Sequence, residues 1–201
     1  MRNFILSLAI LPLAIGTASA DIVDSGSGFT IPDNGSNSSV INIAANETIT
    51  DVTVTLEGLQ HTWMGDLQAT LTGPGGSIDL FWSVGGGIGD SSDFDGDYTF
   101  TDAGPGDLWA VAASLTAAQA VPSGAYFATD GSDIVQSFAT AFGGTSTAGA
   151  WTLQIADVNT GDTGSVSGWT LSITSNVIPE PASLGLLGVA GLGLAFYRRR
   201  K

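Results

Sequence analysis

The chain reads as an all-β sandwich of a single domain, framed by two targeting segments. Three observations carry that reading. Apolar and polar residues alternate over many short stretches, the pattern of a strand with one buried face. Clusters of Gly, Pro, Asn and Asp separate these stretches where the chain must turn. Two stretches, WTLQI from Trp151 and WTLSI from Trp169, are almost the same strand written twice.

The first element is not part of the sandwich. MRNFILSLAILPLAIGTASA has a basic residue at Arg2, an apolar run from Phe4 to Ile15, and a small-x-small ending at Ala18-Ser19-Ala20. This predicts a secretory signal peptide over residues 1–20, with Ala18 and Ala20 in the small-residue positions of the cleavage site. The body then spans residues 21–177, which is 157 residues, long enough for one domain with a sizeable core.

The strands follow. In DVTVTLEGL, Val52, Val54 and Leu56 face one way and Thr53, Thr55 and Glu57 the other. DLQATLTG repeats the pattern with Leu67, Ala69 and Leu71, and SIDLFW with Ile78, Leu80 and Trp82. TGPGG at 72–76 and NTGDTG at 159–164 read as turns. Trp151 and Trp169 alternate in phase with Leu and Ile, so both indoles are expected in the core, where they fix the register of what should be one structural unit. One segment departs from period two: DLWAVAASLTAAQAVP places Leu108, Val111, Leu115 and Ala118 near one helical face, with Asp107 as a cap and Pro122 beyond the end.

Charge is distributed unusually. Of 19 acidic residues only Glu180 lies outside 21–177, so the body carries 18 acids and no Lys or Arg. Nucleic acid is therefore an unsuitable partner, being itself a polyanion. The absence of cysteine excludes disulfides, thiol catalysis and Cys-ligated zinc.

The stretch DSSDFDGDYTFTD, 90–102, is the most acidic. Asp93, Asp95, Asp97 and Asp102 fall on ligand positions of an EF-hand template, but Ser91 replaces its first Asp, Asp102 its last Glu, and strands flank it. It is not an EF-hand, yet hard oxygen ligands suit Ca²⁺. Asp66, Asp102 and Asp157 each follow a strand and are expected at one rim of the sandwich as a dispersed second set. The expected calcium ligands are thus Asp66, Asp93, Asp95, Asp97, Asp102 and Asp157. The competing expectation is that each carboxylate caps backbone N–H groups in its own turn. His61 is the one histidine, and the sequence has no nucleophile elbow to serve it. No catalytic residue is assigned; the imidazole is expected to bond backbone or Asp66 and fix the turn.

The tail holds the cations missing from the body. Residues 182–197 are uncharged and apolar and would span about 24 Å as a helix, slightly under the ~30 Å hydrocarbon core. Arg198, Arg199, Arg200 and Lys201 follow at once, which keeps them on the cytoplasmic side and the body outside. Pro179-Glu180-Pro181, an apolar stretch and a terminal Arg cluster resemble the PEP-CTERM sorting signal of exopolysaccharide-producing Gram-negative bacteria. That resemblance covers 178–201. It implies anchoring in the inner membrane by the C-terminal helix, recognition by an exosortase near Pro179-Glu180-Pro181, and transfer to the cell surface or release from it.

Several body motifs resemble the P domain (P/Homo B) of proprotein convertases. They are IPDNGS at 31–36, HTWMGDL at 61–67 within ITDVTVTLEGLQHTWMGDLQATLTGPGG, YTFTDAG at 98–104, GAWTLQIAD at 149–157 and DTGSVSGWTLSIT at 162–174. The resemblance implies a jelly-roll β-sandwich. It also marks a departure, because no subtilisin-like Asp…His…Ser core precedes the domain here, so protease activity does not transfer with the fold. The expected role is a structural or adhesive module of the envelope or exopolysaccharide matrix. The alternative is an accessory domain of a separate subtilisin-like protease.

Overall fold

The computed structural model describes residues 19–87 and 89–177. The signal peptide expected over 1–20, apart from Ser19 and Ala20, and the helix and sorting motif expected over 178–201 lie outside the described residues. Among the described residues no helix is long and apolar enough to cross a membrane.

The described residues form two sheets. The first contains, side by side, β1 (Ser19–Ile31), β9 (Gly164–Asn176), β3 (Thr48–His61), β6 (Phe94–Phe100) and β7 (Gly124–Tyr126). The second contains β2 (Ser36–Ile43), β8 (Gly149–Asp157), β4 (Leu67–Gly73) and β5 (Gly76–Trp82). All neighbours are antiparallel except β6 and β7. Two short helices, α1 (Leu108–Ser114) and α2 (Phe138–Phe142), sit in the connections.

Period-two alternation explains the packing. Val52, Val54 and Leu56 of β3, Leu67, Ala69 and Leu71 of β4, Trp151, Leu153 and Ile155 of β8, and Trp169, Leu171 and Ile173 of β9 are all buried, while the residues between them are not. Removing each of the Val, Leu and Ile side chains among them from water contributes about 1.5–3 kcal/mol. Both indoles point inward as expected, each with no exposed surface. The two WTLxI strands nevertheless do not form one unit. β8 pairs with β2 and β4, β9 with β1 and β3, so each is central in a different sheet. The repeated pattern reflects the same demand met twice, a central strand that must fill one side of a shared core. Phe81, Phe94, Phe100 and Tyr98 complete that core, with ring centroids 4.9–5.6 Å apart along the chain of contacts.

Glycine decides the fit at one edge. Gly26 of β1 pairs with Trp169, and a Cβ at Gly26 would stand 1.9 Å from the indole Nε1. The indole therefore requires a residue with no side chain beside it.

The helix expected from Asp107 onward is present and shorter. The Asp107 carboxylate accepts from Ala110 N at 3.0 Å, as a cap should. Ser114 is its last residue, because Leu115 is extended and Ala118 takes a left-handed φ of 62°. Leu115 packs on the core from the turn that follows, without helical geometry.

Strand register sets the two ends of the sandwich. Ser19, Asn176 and Thr48 pair at one end. Ile31 with Gly164, Gln60 with Ser165 and His61 with Phe94 pair at the other. A strand as long as β9 separates these ends by about 40 Å at ~3.3 Å per residue.

Candidate functional site

The richest polar constellation lies at the His61 end. His61 closes β3 in one sheet and Asp157 closes β8 in the other. Their side chains meet, with Nε2 of His61 3.2 Å from Oδ2 of Asp157, and both residues are buried. The Trp63 N–H donates to Nδ1 of His61 at 3.1 Å. Nδ1 also lies 3.0 Å from the Trp63 carbonyl oxygen, so the Trp63 backbone holds that nitrogen from both its N–H and its C=O. An ionised carboxylate only accepts, so Nε2 carries the proton that points at Asp157. The other oxygen of Asp157, Oδ1, accepts from Asn159 N at 3.0 Å.

Asp66 stands beside this pair rather than in it. It ends a 3₁₀ turn at Met64–Asp66, and its Oδ1 accepts from Asn159 Nδ2 at 2.6 Å. Its carbonyl accepts from Val158 N at 2.9 Å. Of the two partners expected for His61, backbone or Asp66, the structure shows backbone, at Trp63, and Asp66 is replaced by Asp157: five residues along the chain place Asp66 beyond a turn that aims it at Asn159, whereas the strand ends bring Asp157 across to the imidazole.

Two open pockets flank the constellation. One, of about 430 Å³, is lined by Gln60, His61, Asp93, Asp95, Thr163 and Ser165 among others. The second, of about 630 Å³, is lined by Trp63, Asp66, Gly87, Asn159, Thr160 and Asp162. Asp93 and Asp95 line the first, Asp66 and Asp162 the second. Asp93 carries the strain of this arrangement. Its carboxyl is raised above the usual carboxylate range by partial burial first, then by the charges of Asp162 and Asp95, with His61 pulling the other way. Its Oδ1 is buried and has no hydrogen-bond partner.

The other expected calcium ligands are engaged singly. Asp95 accepts from Gln60 Nε2 at 3.1 Å. Asp97 accepts from Gly58 N at 2.7 Å, serving the amide freed where β3 bulges between Leu56 and Leu59 and Gly58 takes a φ of 56°. Asp102 lies toward the opposite end of the sandwich, past Phe100, which pairs with Val54. There it accepts from Phe138 N, Ala139 N and Ser137 Oγ at 2.7–3.0 Å and secures the start of α2. The structure thus brings Asp66 and Asp157 to one rim and separates Asp102 from them. Among the described residues no three His, Cys, Asp or Glu side chains gather closely enough to hold a metal ion.

Sequence reasoning missed Asn159, which bonds both Asp66 and Asp157, and Asp162, which loads Asp93. Both belong to the NTGDTG turn, so the available signal was that this turn follows a strand ending in a buried acid. Both imidazole nitrogens have protein partners, the Trp63 backbone at Nδ1 and the Asp157 carboxylate at Nε2.

Residues 121–173 match the family model of the proprotein convertase P-domain. Residues 177–201 match that of the PEP-CTERM protein-sorting motif. No curated protein matches the chain. Among solved structures, the complex of the Aeromonas sobria serine protease with the chaperone is similar over 80% of this chain, at 17% identity and a TM-score of 0.50. The serine protease of Aeromonas sobria is similar over 79%, at 15% identity and a TM-score of 0.44. This chain spans 28% and 27% of those two chains. At such identities the first likeness is one of fold.

Proposed function

Starting from a chain that carries a P-domain match and a PEP-CTERM sorting motif, we propose that it is an exported, surface-sorted β-sandwich module without catalysis of its own, structural or adhesive in the bacterial envelope or exopolysaccharide matrix. In this reading residues 1–20 are removed on export, 21–177 are the working domain, and 178–201 hold the chain in the inner membrane until an exosortase acts at Pro179-Glu180-Pro181. The strand order supports reading the sandwich as a jelly roll, since β1 to β4 alternate between sheets, β4 and β5 form a hairpin, and β8 and β9 return to the two sheet centres.

The single observation that carries the proposal is the joining of a sorting motif to a sandwich whose one histidine has both nitrogens committed to structure. The matching test deletes 178–201 and follows the protein by surface labelling of intact cells. The proposal expects loss of surface label and of matrix adhesion, with protein released or left in the periplasm. Peptide or glycan hydrolysis by the purified protein, abolished in His61→Ala, would overturn it.

A second reading, an accessory domain for a separate subtilisin-like protease, is favoured by the P-domain match over 121–173. It predicts stoichiometric co-purification of such a protease with the exported chain, and a pull-down without one rejects it.

A further inference from the structure

The start of β1 coincides with the expected cleavage site. Ser19 and Ala20 pair with Asn176 and Ser175 of β9, and Asp21 pairs with Thr174. Signal cleavage needs an extended and unpaired chain, so it belongs to export, before β1 docks on β9. What the cleavage leaves behind then docks at a prepared place.

That place is built around Ser175, which is fully buried. Its hydroxyl lies 3.2 Å from the Ala20 carbonyl oxygen and is also bonded to the Glu47 carboxylate. Glu47 is held from behind: its N–H donates to Thr147 Oγ1 at 3.0 Å, and its carbonyl accepts from Thr147 N at 2.9 Å. A carboxylate positioned this firmly at a strand end has no cationic side chain to answer it, because residues 21–177 contain no Lys or Arg. The remaining acids here are Asp51 of β3, level with Thr174, and the side chain of Asp21 itself. All of them favour a positive charge.

We propose that signal cleavage supplies that charge: the new α-ammonium of Asp21 is captured by the Ser175 hydroxyl and the Glu47 carboxylate, and clamps β1 to β9. A signal peptidase adds water across the Ala20–Asp21 amide. The C–N bond breaks, Ala20 departs with the peptide as a carboxylate, and the Asp21 nitrogen keeps the hydrogen and takes up protons to become an ammonium. The carbonyl that Ser175 faced is gone, and the ammonium, which was one bond from that carbonyl carbon, takes its position. The fold is thus completed by its own processing, with the terminal amine as the sole cation of the body apart from His61 when protonated. This inference rests on the cleavage assigned under the proposed function.

The chain contains a single lysine, Lys201. In a Lys201→Arg chain, exported by its own signal and purified at full length in detergent, the terminal amine is the one primary amine left. Its acylation at pH 7 by an N-hydroxysuccinimide ester reads its charge state. Mass analysis should give Asp21 as the first residue. Acylation of the folded protein should be about threefold slower than for folded Glu47→Gln, equivalent to half a pKa unit, with Ser175→Ala between them. Both substitutions should leave the rate of the urea-unfolded chain unchanged. A terminus at Asp21 with equal rates in the folded wild-type and Glu47→Gln proteins overturns the capture while leaving the cleavage intact. A terminus elsewhere overturns the cleavage and the capture with it.

Discussion

His61 donates through Nε2 to Oδ2 of Asp157 at 3.2 Å, joining the last residue of β3 in one sheet to the last residue of β8 in the other. Truncating the imidazole leaves a buried carboxylate without that partner, and a buried charged acceptor so stranded costs about 2–3 kcal/mol. His61→Ala should therefore lower the melting midpoint by about 4–12 °C, since ~1 kcal/mol moves a domain of this size by ~2–4 °C. A double-mutant cycle with Asp157→Ala should show positive coupling. Additive losses would show that the two residues act separately.

Asp93 should respond in the opposite direction. Its carboxyl is held above the usual range by burial and by Asp162 and Asp95. The fold therefore favours its protonated form, and the stability this contributes is present below an unfolded value of about 3.9 and lost as pH rises through the folded value. At neutral pH the ionised group opposes folding. Asp93→Asn should raise the melting midpoint at pH 7 and lose that advantage as pH falls below about 4. A lower midpoint at pH 7 would contradict the argument.

Calcium should have little effect on the fold. Asp66, Asp95, Asp97, Asp102 and Asp157 already accept hydrogen bonds from the protein, and among the described residues no metal-binding trio forms. A ligand at about 100 times its dissociation constant would add roughly 2.7 kcal/mol. Melts in millimolar Ca²⁺ and in EDTA should agree to within about 2 °C. A larger shift that vanishes in Asp93→Asn would place a cation at the free oxygen of Asp93.

Asp102 should behave as a helix cap acting at long range. Its three accepted bonds hold the start of α2, and losing a cap of this kind costs about 1 kcal/mol. Asp102→Ala should lower the midpoint by about 2–4 °C and leave the His61 amide and ring resonances unshifted. Changes at His61 in that variant would mean the two ends are coupled.

Much of the sandwich was legible in the sequence because alternation reports a half-buried strand directly. Trp151, Leu153 and Ile155, or Val52, Val54 and Leu56, could hardly be arranged otherwise. The turn at Pro74-Gly75 and the cap at Asp107 were likewise local. What stayed hidden depends on distance in the chain. β1 is mostly exposed and rich in Ser and Gly, so it has no apolar rhythm, and it becomes a strand because β9 offers it an edge. α2 is five residues long, too short for any helical period, and the carboxylate that secures it comes from Asp102. The site suffered from the same limit. A local reading joins His61 to nearby Asp66, whereas antiparallel strands deliver Asp157 from the far end of the sequence.

The pairing of Asp21 with Thr174 places both ends of the working domain at one end of the sandwich, and this has a mechanical consequence. Pulling those two ends apart opens β1 from β9 like a zipper, with each rung bearing the load in turn, so the fold is weak in that direction. A load applied at the His61 end and carried to Asn176 runs lengthwise along β9 instead. The rungs to β1 and β3 then share it in shear and must fail together. A domain tethered beyond Val177 and gripped at its far end would be loaded along its strong axis, as an adhesive tether requires.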